Sequence, residues 1–260
     1  MKICLAQTPV LYEEKEKNIE KAGGLIRDVA KEGDDLILFP EMSFTGFSMN
    51  TGKIGESREE TVGVMKELAA GCGISIGFGW VRREEDSFFN CYTVLGKDGQ
   101  KLSEYRKIHP FSFAKEDQFY QPGDSISVFW LEQMKCTAFI CYDLRFPEVF
   151  RAVCEEVSVI ILPANWPAKR AEHWKALLRA RAIENQVYIL GVNCWGEING
   201  ISYSGDSCII DPDGEVLSVL SDSEGLIRYE LKDDVKRFRE SFPVLHDRRP
   251  GLYPELSRDR

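Results

Sequence analysis

The sequence predicts an α/β fold whose sheets carry helices on their outer faces, and three observations lead there. Stretches of helical periodicity alternate with short apolar runs of strand length. Two of those runs, residues 35–39 and 157–162, are closed by Pro40 and Pro163, the pattern of a buried strand giving way to a loop. Two Asp-Gly steps, Asp98-Gly99 and Asp213-Gly214, add hairpins. Hairpins among alternating helices and strands point away from a simple doubly wound sheet.

In chain order, residues 2–7 read as a strand and 13–31 as an amphipathic helix that tolerates Gly23-Gly24 near its end. The apolar run 35–39 is a buried strand, 59–70 a helix, and 74–81, 88–95 and 100–105 are strands. Gly73, Gly77 and Gly79 lack the Lys-Ser/Thr of a P-loop, so this stretch reads as a strand that needs close packing. Strands follow at 125–131 and 135–140, a helix at 147–156, a strand at 157–162, a helix at 171–185 and a strand at 187–193. Strands 207–210 and 216–220 flank Asp211-Pro212-Asp213-Gly214, and 226–231 leads into a charged helix and a Pro-containing tail. No repeat, low-complexity tract or linker divides the chain, which reads as one domain over 1–260.

A chain of 260 residues, 43% hydrophobic and 29% charged, has an ordinary globular composition. Its net charge of −9 excludes the basic footprint of a nucleic-acid binder. No apolar run approaches the roughly 18 residues that cross a membrane. The opening residues lack the long apolar core of an export signal, so a reducing cytoplasm with free thiols is expected. The eight cysteines form no C-x-x-C pair and no finger spacing with His109, His173 or His246, so no metal site is expected.

Three residues stand where strands end. Glu41, in Pro40-Glu41-Met42-Ser43-Phe44-Thr45-Gly46-Phe47, is either a desolvated general base or a surface loop carboxylate. Lys107, in Tyr105-Arg106-Lys107-Ile108-His109, is either an oxyanion partner or a solvated surface charge. Cys141, followed by Tyr142-Asp143-Leu144-Arg145-Phe146-Pro147-Glu148, is either a nucleophile at a strand-to-helix turn or a buried core thiol.

Taken together, Pro-Glu-x-x-x-x-Gly, Tyr-Arg-Lys-x-His and Cys-Tyr-Asp-Leu-Arg-Phe-Pro-Glu occur in the order and spacing of the nitrilase superfamily of carbon–nitrogen hydrolases, which the chain resembles over nearly its whole length. The resemblance implies a four-layer α-β-β-α sandwich and a Glu41-Lys107-Cys141 triad. It also implies a positioning glutamate at Glu116, seven residues before Gly123. The segments around Pro163-Ala164-Asn165-Trp166-Pro167 and 179–186 are most similar to the bacterial omega-amidases, which act on 2-oxoglutaramate-like compounds. Pro110 departs from the Leu that many relatives carry after the His, a difference that bears on the substrate pocket.

The activity so implied is hydrolysis of a small linear carboxamide to a carboxylate and ammonia through a cysteine thioester, with no cofactor. Alternatives are a deaminated-glutathione amidase, an N-carbamoyl-amine hydrolase, or an inactive binding relative. A papain-like reading needs a His base that no motif supplies, and His173 is expected to be structural. Arg145, four residues after Cys141, either binds a substrate carboxylate or pairs with Asp143 or Glu148. Tyr142, Phe44, Phe111, Asn165 and Trp166 are expected to line the pocket. The family habit implies a homodimer.

Overall fold

The alternation in the first strand, β1 (Lys2–Gln7), already separates two layers. Ile3 and Leu5 join the larger apolar core, whereas Cys4 and Ala6 join a second core beneath the first helices. That is the period of two expected when both faces of a strand are buried. The chain is described by a computed structural model over residues 1–253, and the expected tail beyond Tyr253 lies outside the described residues.

Helix α1 (Lys15–Lys31) turns Ala22, Ile26 and Val29 inward and leads to β2 (Leu36–Leu38), which lies parallel to β1. A short helix α2 (Thr51–Ile54) and the longer α3 (Glu60–Cys72) precede β3 (Ser75–Glu84). Strands β4 (Ser87–Leu95) and β5 (Lys101–Arg106) follow as antiparallel hairpins. The chain then crosses to a second sheet with β6 (Val128–Leu131), β7 (Met134–Ala138), helix α4 (Pro147–Val153) and β8 (Val159–Ala164). Helix α5 (Ala171–Asn185), β9 (Tyr188–Asn193), β10 (Trp195–Ile198), β11 (Ile201–Ile210) and β12 (Val216–Ser221) complete that sheet. Strand β13 (Gly225–Glu230) returns to pair with β1, and α6 (Val235–Ser241) follows.

The first sheet runs β13-β1-β2-β3-β4-β5, and the second runs β10-β11-β9-β8-β7-β6 with β12 paired to β11. Leu36, Leu38, Tyr92 and Val94 of the first share one core with Ala138, Ile160 and Ile161 of the second. Helices α1 and α3 cover the outer face of the first sheet, and α5 packs on β9 and β11 of the second. The four-layer α-β-β-α sandwich is therefore the observed architecture. Among the described residues no helix is long and apolar enough to cross a membrane.

Several elements differ from expectation. Helix α2 and strand β10 lie outside the expected elements. Strand β6 begins at 128 rather than 125, α4 ends at 153 rather than 156, and β8 runs through Pro163 to Ala164 rather than ending at 162. Two further differences have a visible cause. Strand β11 begins at Ile201 rather than 207, because Ile198 and Ile201 close a two-residue hairpin. Asn199 and Gly200 sit there at φ 48° and 73°, the left-handed pair a tight hairpin demands. Strand β7 ends at Ala138 rather than 140, because the Ile140 N–H leaves the ladder to donate to Asp143 Oδ2 at 2.9 Å.

Candidate active site

Glu41 is placed by the packing of its own loop on β3. After β2 the Phe39 N–H donates to the Gly77 carbonyl, and Pro40 ends the pairing. Three residues later the Ser43 N–H donates to the Gly79 carbonyl at 3.0 Å, and the Gly79 N–H donates to Ser43 Oγ at 2.8 Å. A Cβ on Gly79 would lie 2.3 Å from the Met42 nitrogen, so only glycine lets the loop come this close. The Glu41 carboxylate is thereby pinned inside the protein, 1% exposed.

Lys107 follows β5 directly. Its N–H donates to the Asn90 carbonyl and its own carbonyl accepts from the Gly123 N–H, so the backbone is held on both sides. The side chain runs inward, leaving the residue 2% exposed. A buried ammonium needs counter-charge, and Lys107 Nζ has two carboxylates. It lies 2.8 Å from Glu41 Oε1, and 3.1 and 2.9 Å from the oxygens of Glu116. Glu116 is fully buried in a 3-10 turn, where its Oε2 also accepts the Phe111 N–H at 2.6 Å.

Cys141 opens a 3-10 turn at φ 45°. A non-glycine residue held in that left-handed region stores backbone strain, and such residues cluster at functional sites. What holds it is Asp143, a buried carboxylate that accepts from the Ile140 N–H, the Tyr105 hydroxyl and the His109 N–H. His109 also places Nδ1 2.7 Å from Asp143 and stacks on Phe146. It is a brace for the turn.

These groups meet at a cavity of about 280 Å³, lined by Glu41, Lys107 and Cys141 together with Phe111, Tyr142, Arg145, Asn165, Trp166 and Arg170. The guanidinium of Arg145 lies over the Trp166 ring at 4.7 Å, and Nη2 is 3.3 Å from His173 Nδ1. The ion pairs with Asp143 or Glu148 are not formed. Arg170 lies over Phe111 in the same manner at 5.5 Å. Neither arginine has a carboxylate partner within 4.0 Å among the described residues.

Two expectations change. Phe44 does not line the cavity: it packs in the core between Phe39 and Phe78, because the left-handed turn at Met42 swings it back onto the first sheet. Phe47, three residues on, faces the cavity instead, with Lys107 Nζ 5.5 Å from its ring centre. Asn165 lines the cavity, yet its donors are already engaged by Glu41. Its N–H reaches Oε2 at 2.9 Å and its Nδ2 the Glu41 carbonyl at 2.6 Å. Sequence reasoning missed Arg170, Tyr203 and Asn90. The signal for Asn90 was a polar residue inside the apolar strand Phe88-Phe89-Asn90-Cys91.

Burial alone would raise the proton affinity of both glutamates. For Glu41 the Lys107 charge and the donors Asn90 and Asn165 outweigh burial and hold its carboxyl below the usual range. For Glu116 burial, helped by the Glu41 charge, outweighs Lys107 and pushes it up. Burial opposes the charge on Lys107, but Glu116 and Glu41 more than offset it and hold the amine well above its ordinary value. Burial and the Glu41 charge push the Cys141 thiol well up against the pull of Lys107, so the resting sulfur carries its proton. The resting arrangement is thus a neutral thiol and an ionised carboxylate on the wall of one cavity.

The carbon–nitrogen hydrolase family model matches residues 2–240. The 2-oxoglutaramate amidase of Bacillus subtilis (strain 168) is 36% identical over 255 residues, covering 96% of this chain and 98% of that protein. The omega-amidase YafV of Escherichia coli (strain K12) is 32% identical over 251 residues, 95% of this chain and 96% of that one. Among solved structures, XC1258 of Xanthomonas campestris, a CN-hydrolase superfamily protein with an arsenic adduct in its active site, superposes with a TM-score of 0.91 at 30% identity. It covers 96% of this chain and 97% of that one. Fold, motif order and relatives agree: this chain belongs to the carbon–nitrogen hydrolase family of the nitrilase superfamily, close to its omega-amidase branch.

Proposed function

We propose that the chain hydrolyses the terminal carboxamide of a small dicarboxylic acid monoamide, such as 2-oxoglutaramate, to the carboxylate and ammonia. The observation that carries this reading is the convergence of Glu41, Lys107 and Cys141 on one cavity whose wall holds two arginines without a carboxylate partner among the described residues. Glu41 is the base, Cys141 the nucleophile, Lys107 the oxyanion partner and Glu116 the positioning glutamate. The named activities of the Bacillus subtilis and Escherichia coli relatives support the substrate class.

In this reading Glu41 Oε2 takes the thiol proton while the sulfur attacks the carboxamide carbon. The carbonyl electron pair moves to oxygen, where the Lys107 ammonium and the Tyr142 N–H stabilise it. Collapse breaks the C–N bond, the Glu41 proton goes to the departing ammonia, and a thioester on Cys141 remains. Glu41 then takes a proton from water, whose oxygen attacks the thioester. The C–S bond breaks and the proton returns to sulfur. Arg145, braced on Trp166, and Arg170, braced on Phe111, face the substrate's far carboxylate.

Ammonia release from 2-oxoglutaramate, succinamate, asparagine, glutamine and a simple nitrile tests the substrate class. Turnover of the first two is expected, and turnover of the nitrile alone would defeat it. Cys141→Ala is expected to abolish turnover with an unchanged circular dichroism spectrum. Residual amidase activity above about a thousandth of wild type would defeat the thioester route. We further propose one domain acting as a homodimer in a reducing cytoplasm, a setting that eight unpaired cysteines suit.

A further inference from the structure

Strand β4 lies buried between β3 and β5, and most of its buried side chains are apolar. Two are polar: Thr93 Oγ1 accepts the Trp80 indole N–H, whereas the Asn90 side chain serves nothing that the ladder needs. Asn90 is 2% exposed, its Oδ1 has no hydrogen-bond partner among the described residues, and its backbone pairs with Val81 as any residue there would. Burying an amide with an unmet acceptor is costly, so the donor end must have a task. Its Nδ2 donates to Glu41 Oε1 at 2.8 Å and to Glu116 Oε1 at 2.9 Å. Its carbonyl accepts the Lys107 N–H at 2.9 Å. One residue thus touches both carboxylates and anchors the backbone of the lysine between them.

We infer that Asn90 is a positioning residue: its amide ties Glu41 Oε1 and Glu116 Oε1 together and leaves Glu41 Oε2 as the oxygen presented to the Cys141 thiol. The inference rests on the reading of Glu41 as the base. Oε1 is taken by Lys107 and Asn90, whereas Oε2 receives only the Asn165 N–H. Two carboxylates sharing one ammonium repel each other. The Asn90 amide lies where that repulsion is strongest and bonds both at once. An aspartate there would put a third negative charge beside one ammonium, and a leucine would remove both bonds.

The ionisable groups facing Glu41 are Lys107, Glu116, Cys141, Cys194, Tyr120 and Tyr203. Loss of the Asn90 donor therefore moves Glu41 toward its protonated form, and the acid limb of base-dependent chemistry moves to higher pH. The test uses alkylation of Cys141 by iodoacetamide, read by peptide mass spectrometry as a function of pH, so that no amide substrate enters. Wild type is expected to lose reactivity only below the ordinary carboxylate range. Asn90→Leu is expected to shift that limb up by about one pH unit. Asn90→Ser, whose hydroxyl can donate to only one carboxylate, is expected to shift it less, in the same direction. The serine variant also carries the test if the leucine variant fails to fold. With 2-oxoglutaramate, the serine variant is expected to lose about tenfold in kcat with KM changed less than about twofold.

Glu41→Gln, run in parallel, is expected to alkylate slowly at every pH. If it alkylates as wild type does, Glu41 is not the base and the role given to Asn90 falls with it. If Glu41→Gln is slow but the folded Asn90 variants keep the wild-type limb, the base stands and Asn90 merely fills its strand.

Discussion

At the scale of the residue, the site turns on how few charges share a dry space. Lys107 is the ammonium shared by Glu41 and Glu116. The two glutamates differ because burial is outweighed at Glu41 but not at Glu116, where the Glu41 charge adds to it. The Asn165 N–H is spent on Glu41, which is held below the usual carboxylate range, while burial pushes Glu116 above it. The sign for activity follows. Glu41 stays ionised as pH falls toward the ordinary carboxylate value and is protonated only beneath it, so kcat/KM is expected to stay level through neutral pH and to fall only in more acid solution. A pH–rate profile checks this, and a limb near pH 7 would contradict it. Arg145→Leu is expected to raise KM for a carboxylate-bearing monoamide about tenfold while changing kcat little, as loss of a charge-assisted contact remote from the reacting atoms does. Glu41, Lys107, Glu116 and Cys141 were legible in the sequence because short motifs surround them. Asn90 was not, since its partners lie 49 and 26 positions away and only the sheet pairing brings them together. The exchange of Phe44 for Phe47 was hidden for another reason. It depends on one positive φ at Met42, which no periodicity reports.

At the scale of the element, precision comes from places where a side chain is missing. The loop bearing Glu41 rests on Gly79 with no room for a methyl group, and Gly77 likewise sits 2.5 Å, measured from an added Cβ, from Leu38. Gly79→Ala is expected to displace the Glu41 loop. Activity should fall by about a hundredfold and stability by about 1–3 kcal/mol, measured by ammonia release and urea unfolding. A variant that lost stability alone would show that the loop relaxes without moving the carboxylate. The glycine-rich stretch read correctly as a closely packed strand because it lacked a phosphate loop's lysine. The hairpin at Asn199-Gly200 was overlooked although Asn-Gly is a strong turn signal, because the short flanking strands Trp195–Ile198 and Ile201–Ile210 carry polar residues where they pair. Helix α5, by contrast, runs over the expected residues. Its buried face holds Arg181 and Asn185 beside Trp174, Leu178 and Ala182, so its Ala- and Leu-rich helix preference made it legible more than any apolar stripe.

At the scale of the whole molecule, the two sheets divide the chemistry between them. Glu41, Asn90 and Lys107 belong to the first sheet and its loops, and Cys141 and Asn165 to the second. Docking of the sheets through their shared core is what brings Glu41 and Cys141 to one cavity. The layered architecture was legible from alternating helices and strands combined with hairpins. The order of strands was not, because β13 joins β1 across more than two hundred residues of chain. Removal of residues from 225 onward strips β1 of its antiparallel neighbour and leaves an apolar edge open to other chains. That truncation is expected to aggregate, with loss of iodoacetamide-sensitive base catalysis, as read by light scattering and alkylation. A soluble, fully reactive truncated chain would contradict the closure argument.

The return of β13 also sets a timetable for synthesis. The first strand waits for β13: the Met1 amino group donates to the Leu231 carbonyl, and β1 lies beside residues made more than two hundred positions later. Cys141 is therefore made before the strand that closes the first sheet. During that interval β1 lacks its antiparallel neighbour, and the nascent chain presents an unpaired edge. The chain's vulnerable stage is the one just before β13 is in place, when β1 offers an apolar edge to other chains.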